Sequence, residues 1–256
     1  MGNGTLIEWT QDTWNPVTGC TKISQGCTNC YALRMAKRLQ SMGNRRYQNG
    51  FDITLHHDLI KQPLFRKQKR MIFVNSMSDL FHDQIPFEFI SQVFATMNLA
   101  HWHTFQILTK RSERLLELAP NLNWTSNIWM GVTVENQVCV RRIEDLRQVP
   151  AAVRFLSCEP LLERVDLDLR GIHWVIVGGE SGPHARPMEA QWARVVKDQC
   201  QEAGVPFFLK QLGGTINKRG HDQASLDGRL FKEHPTQFCG TRVNTPAEHR
   251  VPILIT

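Results

Sequence analysis

Three cysteines near the amino end of the chain are the residues best suited to do chemistry. Cys20, Cys27 and Cys30 lie within eleven residues, with six residues between the first two and two between the last two. Glycine and small polar residues separate the thiols, so the backbone can fold around a bound group. A helical pattern begins at Tyr31, and the amino end of a helix stabilises thiolate anions. Such a loop is suited to hold an iron–sulfur cluster or a metal ion.

Composition sets broad limits on the protein. The 256 residues suffice for one large barrel-like domain or two small ones, and 41% of them are apolar, as in ordinary soluble proteins. The formal charge of +6 and the isoelectric point of about 9.1 are compatible with a nucleic-acid partner. Because many basic enzymes bind only small anionic cofactors, the charge alone does not decide between these two cases.

The cysteine count points to a cellular compartment. Seven cysteines is an odd number, and three of them are clustered. The first residues contain no apolar run of the kind that forms a signal peptide, and no stretch is long and apolar enough to cross a membrane. We therefore expect a cytoplasmic protein in a reducing environment, whose cysteines serve a cofactor instead of a disulfide framework.

Alternating apolar runs and helical patterns predict the fold. Short apolar runs that end in polar residues occupy residues 71–74, 105–108, 128–132, 154–156, 174–177 and 207–209. Helical patterns occupy residues 31–42, 86–100, 112–119, 137–147 and 189–203. This alternation predicts an α/β fold of parallel strands, as a full or partial (β/α) barrel with its chemistry at the carboxyl ends of the strands. An open doubly wound sheet is the alternative, but the chain lacks a G-x-G-x-x-G after the first strand and a phosphate-binding P-loop motif.

The pattern changes near the carboxyl end. Residues 213–228 are rich in glycine, lysine, asparagine and aspartate, and the remainder shows little periodicity. We expect one domain over residues 1–256, in which residues 213–256 form an irregular extension that covers one end of the barrel.

Near the amino end, Val17 and Thr18 are interpreted as the end of a short strand before the cysteine loop.

Residues at the strand ends are further candidates for chemistry. Lys110 follows one strand, where it is placed to pair a phosphate or a carboxylate, although a solvated basic turn is the alternative. Gly178 and Gly179 would let a ligand approach the backbone, although glycine pairs also mark plain turns. His82 is a candidate acid or base. Cys158 is a candidate hydrogen donor or fourth metal ligand, although a lone cysteine at a strand end is usually buried filler.

Several motifs together resemble a known family. They are Ile7-Glu8-Trp9-Thr10, Trp14-Asn15-Pro16-Val17-Thr18-Gly19-Cys20, Cys27-Thr28-Asn29-Cys30-Tyr31-Ala32, Asn75-Ser76-Met77-Ser78-Asp79-Leu80-Phe81-His82, Leu108-Thr109-Lys110-Arg111, Leu156-Ser157-Cys158-Glu159-Pro160-Leu161-Leu162 and Val177-Gly178-Gly179-Glu180-Ser181-Gly182. The resemblance is to the uncharacterised phage-type three-cysteine family, which is grouped with radical S-adenosylmethionine (SAM) enzymes. It runs from about residue 5 to residue 235.

The resemblance implies a radical SAM enzyme. Cys20, Cys27 and Cys30 would bind a 4Fe–4S cluster whose fourth iron takes the amino and carboxylate groups of SAM. An electron from the cluster would then cleave SAM to a 5′-deoxyadenosyl radical, which abstracts a substrate hydrogen. The cysteine spacing differs from the usual class pattern of three and then two intervening residues. The aromatic residue often found before the third cysteine is replaced by Asn29, and Tyr31 follows that cysteine instead.

The resemblance also implies where SAM would bind. In this class the residues after the second strand commonly hold the amino acid portion of SAM, and here they are Asn75, Ser76 and Asp79. Capping of a helix or turn is the alternative role for these three side chains. The other predicted cofactor-binding residues also end strands: Thr109, Lys110, Ser157, Glu159, Gly178, Gly179 and Glu180. The last three match a Gly-Gly-Glu motif that radical SAM enzymes often use for the SAM ammonium group, although on an early strand.

Three functions are compatible with these residues. The first is a radical SAM enzyme with a nucleic acid or nucleotide as its candidate substrate and an electron donor protein as its partner. The second is a zinc-stabilised nucleic-acid-binding protein without catalysis, in which a histidine or Cys158 completes the zinc site. The third is a non-redox barrel enzyme that acts on phosphorylated substrates through Lys110 and the Gly178-Gly179 pair and needs no cysteine. The basic run 61–70 precedes a strand, so we expect a solvated surface on the face away from the chemistry, with nucleic-acid binding as the alternative.

Overall fold

Short strands alternate with helices through most of the chain. The structure is a computed structural model that describes Thr5, residues 7–214 and residues 225–236. Its elements in chain order are β1 Asp12–Trp14, β2 Val17–Thr18, α1 Tyr31–Ser41, β3 Thr54–Leu55, β4 Met71–Val74, α2 Phe87–Leu99, β5 Thr104–Thr109, α3 Ser112–Leu118, β6 Ile128–Thr133, α4 Arg142–Arg147, β7 Val153–Cys158, β8 Trp174–Gly178, α5 Ala190–Ala203, β9 Phe207–Gln211, β10 Ser225–Leu226 and β11 Arg229–Leu230.

Seven parallel strands form the main sheet. Their order is β1-β4-β5-β6-β7-β8-β9, and each strand pairs with its neighbour in parallel register. Parallel neighbours require crossover connections, which α1 to α5 and the loops around them supply. The result is a partial (β/α) barrel, which confirms the predicted fold class. All carboxyl ends of its strands lie at one end of the sheet.

The six apolar runs each form a strand of this sheet, but its first strand differs from the prediction. Val17–Thr18 pairs in antiparallel register with Thr54–Leu55 in a separate two-stranded sheet. The strand beside β4 is Asp12–Trp14, which lacks an apolar run because two of its three residues are polar. Asp12 is nonetheless fully buried and forms an ion pair with Arg66. That pairing allows a charged residue to occupy a barrel strand.

Most helices match the predicted ranges to within one residue at each end. Residues 137–147 are the exception, because 137–141 form a 3₁₀ helix before α4 begins at Arg142. The Asn136 side chain accepts a hydrogen bond from the Cys139 amide at 3.2 Å and caps this segment. Gly204 directly follows helix α5 and has a left-handed backbone (φ 65°), as expected of a glycine at a helix end.

Aromatic side chains fill the inner, concave side of the sheet. Trp9, Phe73, Phe155, Trp174 and Phe208 are all at most 7% exposed and form one inner cluster with Trp129 and three aliphatic side chains. A Cβ atom at Gly131 would lie 2.5 Å from the Phe155 ring, so only glycine fits there. Each such ring contributes about 1.5–3 kcal/mol by its burial. The interior is therefore a packed core below the carboxyl ends of the strands.

A second core lies between the sheet and the helices. Strand β7 shows how the two cores are divided, because its side chains alternate between the faces. Val153 and Phe155 belong to the inner cluster, whereas Leu156 and Cys158 belong to the outer core with residues of α5. The next inward position after Phe155 is Ser157, at the carboxyl end of the strand. This alternation decides which of the strand-end residues face the barrel mouth.

The predicted extension is partly regular where the structure describes it. Strands β10 and β11 form a short antiparallel hairpin, and Leu226 is 1% exposed in the outer core. Lys232 then forms an antiparallel bridge with Phe208 of β9. The parts of the predicted extension at 215–224 and 237–256 lie outside the described residues. Over the described residues, no helix is long and apolar enough to cross a membrane.

Candidate functional site

The cysteine loop lies against the carboxyl ends of the strands. Backbone hydrogen bonds fix its start, from the Gly19 amide to the Met77 carbonyl at 3.1 Å and from the Cys20 amide to the Phe51 carbonyl at 3.2 Å. Gly19 has a φ of 90°, and a Cβ atom there would lie 2.2 Å from the Asp52 carbonyl oxygen. Glycine is thus required at the point where the chain enters the loop.

The first attachment of the loop comes from the ends of β4 and β5. Arg111 donates a hydrogen bond from Nη1 to Asp79 at 3.2 Å, and the same nitrogen lies 3.6 Å from the Cys20 sulfur. Its Nη2 donates to the Thr21 carbonyl at 3.2 Å and to the Thr21 hydroxyl at 3.0 Å. Asp79 also accepts a hydrogen bond from the Thr109 hydroxyl at 2.7 Å. A buried ion pair therefore holds the first cysteine and its neighbour.

His82 contacts the same part of the loop. Its Nδ1 accepts a hydrogen bond from the Gln84 amide at 3.1 Å, so the proton lies on Nε2, which is 2.8 Å from the Thr21 hydroxyl. Burial and the nearby Arg111 lower the pKa of His82, which favours this neutral form. The imidazole therefore supports the loop, and its role as a catalytic acid or base stays a prediction.

The second attachment comes from the end of β6. Glu135 is fully buried, and its carboxylate accepts hydrogen bonds from the Ser24 hydroxyl and, at 2.6 Å, from Arg142. Lys110 lies 3.8 Å from the same carboxylate. A Cβ atom at Gly26 would lie 2.6 Å from the Glu135 side chain, so the loop backbone packs directly on it. Although burial opposes it, the positive charges of Lys110 and Arg142 lower the pKa of Glu135 and keep it ionised.

The third attachment comes from the end of β8. Glu180 accepts hydrogen bonds from Asn29 at 2.8 Å and from two nitrogens of Arg186, at 2.7 and 3.0 Å. Arg186 in turn donates to the Gln25 carbonyl at 3.0 Å. Although burial opposes it, hydrogen bonds from Arg186 and Asn29 lower the pKa of Glu180 to about 2. Three carboxylate–arginine pairs, after three different strands, thus clamp one loop.

The third cysteine starts helix α1. Cys30 is the residue before its first turn, which has no capping side chain and no acidic residue. The free amides and the helix dipole there favour a negative charge. Tyr31 donates a hydrogen bond from its hydroxyl to the Ser76 carbonyl, and Arg34 donates to the Ser181 carbonyl at 2.9 Å. The helix start is therefore held from both the β4 and the β8 side.

All three cysteines are free and partly exposed. Burial, followed by the charge of Asp79, raises the pKa of Cys20 to about 11. Although burial also acts on Cys27, hydrogen bonds within its own loop and the positive charge of Lys110 lower the pKa of its thiol. Arg111 thus contacts the Cys20 sulfur, and the positive charge of Lys110 acts on the Cys27 thiol. Positive charge near thiols favours their anionic form, in which they bind metal ions and clusters.

The three loop thiols were predicted to bind either an iron–sulfur cluster or a zinc ion. Tetrahedral zinc needs four ligand atoms about 2.3 Å from one point. Over residues 7–214 and 225–236, no group of three or more His, Cys, Asp or Glu side chains surrounds such a point. A 4Fe–4S cluster binds each thiolate through a different iron, so its ligands surround a larger body. Three free thiols on one loop are the donor set that such a cluster would need, and its fourth iron would then be left to a small ligand.

The predicted residues after β4 have structural partners. Asn75 has a left-handed backbone (φ 60°), and its side-chain oxygen accepts from the Val17 amide at 3.3 Å. The Ser76 hydroxyl donates to Asn15 at 3.1 Å. The buried side-chain nitrogen of Asn75 has no hydrogen-bond partner among the described residues. That orphaned donor is the one group of this segment that a bound ligand would satisfy.

The carboxyl ends of β7, β8 and β9 carry a second polar cluster. Glu159 forms an ion pair with Lys210 of β9, and both side chains are 21% exposed. A Cβ atom at Gly178 would lie 3.3 Å from the Glu159 carboxyl carbon, so this pair crosses β8 directly above the glycine. A Cβ atom at Gly179 would lie 2.2 Å from the Leu212 carbonyl oxygen. Packing within the chain therefore accounts for both glycines.

Residues 4–235 match the model of a family described as a protein of unknown function, DUF5131. The chain belongs to the DUF5131 family. No curated protein matches it. A solved structure of a spore photoproduct lyase mutant, with bound AdoMet and dinucleoside spore photoproduct, is similar at 11% identity and a TM-score of 0.43. The match covers 74% of this chain and 61% of that chain, and it is a likeness of fold alone.

Cys158 lies on the helix side of the sheet in this DUF5131 protein. It is fully buried in the outer core, which also contains Cys200 of α5. Burial raises the pKa of the Cys158 thiol well above its usual range. Ser157, one residue earlier, is the inward-facing residue. The structure does not bring Cys158 to the cysteine loop, so its role as a hydrogen donor or metal ligand stays a prediction without structural support.

Sequence reasoning missed most of the residues that clamp the loop of this DUF5131 protein. They are Ser24, Asn29, Glu135, Arg142 and Arg186. One signal was present for Glu135, because it follows the apolar run of β6 as Asp79 follows that of β4. No sequence pattern predicted a role for Arg142 or Arg186, because each pairs with its carboxylate only in the folded structure. Of the predicted residues, Glu180 accepts a hydrogen bond from Asn29 of the loop, and Lys110 lies 3.8 Å from the Glu135 carboxylate.

Proposed function

We propose that this protein is a radical SAM-type enzyme that holds a 4Fe–4S cluster on Cys20, Cys27 and Cys30. The observation that carries the proposal is the clamped loop: three partly exposed thiols at the carboxyl ends of the strands, held by three carboxylate–arginine pairs. With SAM bound, such a cluster supplies a 5′-deoxyadenosyl radical that takes a hydrogen atom from a substrate. The whole chain is proposed to act as a single domain for this purpose.

The residues around the loop have defined tasks in this proposal. Arg111 and Lys110 place positive charge beside Cys20 and Cys27, which lowers the cost of holding an anionic group away from water. Glu135 and Glu180 fix the loop so that the three thiols keep their mutual positions. Preorganised ligands reduce the ordering cost at the moment of binding.

Polar groups near the mouth are available for SAM and the substrate. The Thr133 hydroxyl at the inner end of β6 is buried without a hydrogen-bond partner among the described residues, and Ser157 faces the same side. The Lys210–Glu159 pair offers one charge of each sign. A zwitterionic amino acid group, such as that of SAM, pairs with both signs. The orphaned amide of Asn75 is a further donor on the opposite side of the mouth.

A nucleic acid or nucleotide is the proposed substrate class, because the net charge of +6 favours a polyanion. An electron donor protein is the proposed partner. The loop offers a surface for it, since Ile23 is 45% exposed and Met35 on the first helix is 42% exposed. Exposed apolar side chains beside a redox group are suited to a transient contact.

Anaerobic reconstitution tests the proposal. Purified protein is treated with iron and sulfide, reduced, and given SAM, and 5′-deoxyadenosine is measured by mass spectrometry. The proposal expects 5′-deoxyadenosine from the wild type and none from a variant with all three loop cysteines changed to serine. Cys200→Ser is the matched control, because that cysteine is fully buried in the outer core on α5. A reconstituted cluster without 5′-deoxyadenosine would refute the radical SAM assignment.

A further inference from the structure

A cleft of about 360 Å³ opens at the amino-terminal ends of three neighbouring strands. Its walls come from the segments that precede β4, β5 and β6, whereas the cysteine loop lies at the carboxyl ends of the strands. The residues that define it are Lys67, Lys69, His101, Trp102, Asn127 and Trp129. The basic run 61–70, for which the proposed enzyme has no use, supplies one wall.

The cleft is separated from the barrel mouth by the inner aromatic cluster. Trp129 closes the cleft on the inner side and is 2% exposed. Behind it lie Trp174, at 6.3 Å between ring centroids, and then Phe155 and Phe208. A ligand in the cleft therefore does not reach the strand carboxyl ends through the barrel. The cleft is a separate site.

The charge of the cleft has one sign. None of the nine residues that line it is acidic. Lys67 and Lys69 are exposed and form no ion pair among the described residues. Arg70 follows them, and its buried Nε has no hydrogen-bond partner in the described part of the chain. Unneutralised cations around a cavity raise the local concentration of anions.

The aromatic residues of the cleft are held in place. Trp102 donates a hydrogen bond from its indole nitrogen to the Arg66 carbonyl at 2.8 Å. The rings of Trp102 and His101 meet edge to face at 5.4 Å. His103 accepts a hydrogen bond from the Arg70 amide at 3.2 Å. Fixed rings provide a stacking surface without a large loss of side-chain entropy.

We propose that this cleft binds a segment of single-stranded nucleic acid. Lysine side chains that pair with phosphates, next to an aromatic ring on which a base stacks, are the two components of sequence-tolerant binding to single strands. A cavity of about 360 Å³ is at the small end of ligand sites and suits one nucleotide of the strand. The site is independent of the cysteine loop, so it anchors a strand away from the barrel mouth.

Fluorescence anisotropy with a labelled single-stranded oligonucleotide tests this site. The double variant Lys67→Ala/Lys69→Ala is expected to bind at least about tenfold more weakly, with the slope of log K against log salt reduced by about 1.4 for two lost phosphate contacts. Trp102→Leu is expected to weaken binding by about five- to 150-fold through lost stacking. Circular dichroism verifies that each variant is folded.

A matched control removes the same charge elsewhere. Lys37→Ala/Arg38→Ala changes two exposed cations on helix α1, neither of which lines the cleft. Equal weakening by both double variants, or none by either, would overturn the proposal. Preferential binding of anionic lipid vesicles over the oligonucleotide would also overturn it. The variant with three serines in the loop is expected to bind the oligonucleotide normally, which separates this site from the proposed enzymatic activity.

Discussion

Replacement of Glu135 by glutamine removes the charge at the centre of the second attachment. Glu135 is fully buried, and its partner Arg142 is 6% exposed at a distance of 2.6 Å. The glutamine would leave Arg142 as a buried charge without a counter-ion, which costs about 3–5 kcal/mol. Lys110 adds little to this cost, because it is partly exposed and lies 3.8 Å away. We therefore expect the free energy of unfolding to fall by about 3–5 kcal/mol.

Thermal and urea unfolding of the protein without cofactor measure this loss. For a chain of this size, 1 kcal/mol corresponds to roughly 2–4 °C, so the melting temperature should fall by about 6–20 °C. Glu113→Gln is the matched control, because Glu113 and its partner Arg141 are both mostly exposed. Its effect should stay below about 1 kcal/mol. Equal effects of the two substitutions would refute the idea that Glu135 is a buried clamp.

Three further predictions concern Gly26, Glu180 and Cys158. Gly26→Ala should cost about 1–3 kcal/mol in unfolding experiments and reduce iron uptake, because its Cβ would lie 2.6 Å from a pinned Glu135; unchanged uptake would contradict the packing. Glu180 has a pKa of about 2 against an ordinary 4.5, so its stabilisation is complete above pH 4.5 and is lost as the pH falls toward 2. Acid titration of Glu180→Gln should therefore show a smaller loss of stability over that window than the wild type, and identical curves would contradict the assignment. Cys158→Ala should retain 5′-deoxyadenosine formation, since Cys158 is buried on the helix side; abolished formation by a folded variant would restore Cys158 as a catalytic residue.

The fold was largely predictable because its strands are buried on both faces. Such strands appear as continuous apolar runs, and 71–74 and 174–177 correspond closely to β4 and β8. Strand β1 was not predictable in this way. It contains a buried aspartate whose partner, Arg66, is more than fifty residues away. Local sequence carries no information on a pair of that kind.

The site was predictable only in its outline. The cysteine spacing and the polar strand ends placed the loop and Asp79, Lys110 and Glu180 in one region, because the carboxyl ends of parallel strands meet at one edge. The sequence did not show that these residues hold the cysteine loop through hydrogen bonds and ion pairs. Arg186 shows the reason: it lies in a loop, and its contacts to Glu180 and Gln25 exist only when the third attachment is formed. The orientation of Cys158 likewise required the register of β7, which reverses with a shift of one residue.

The iron content after reconstitution without oxygen tests the central claim most directly. Iron and sulfide analysis, together with electron paramagnetic resonance of the reduced sample, is to be performed with and without SAM. The clamped loop predicts about four irons per chain and a reduced signal that changes when SAM is added, because one iron lacks a protein ligand. A sample that stays colourless with all three loop thiols reduced and intact, or a cluster signal that SAM leaves unchanged, would contradict the account.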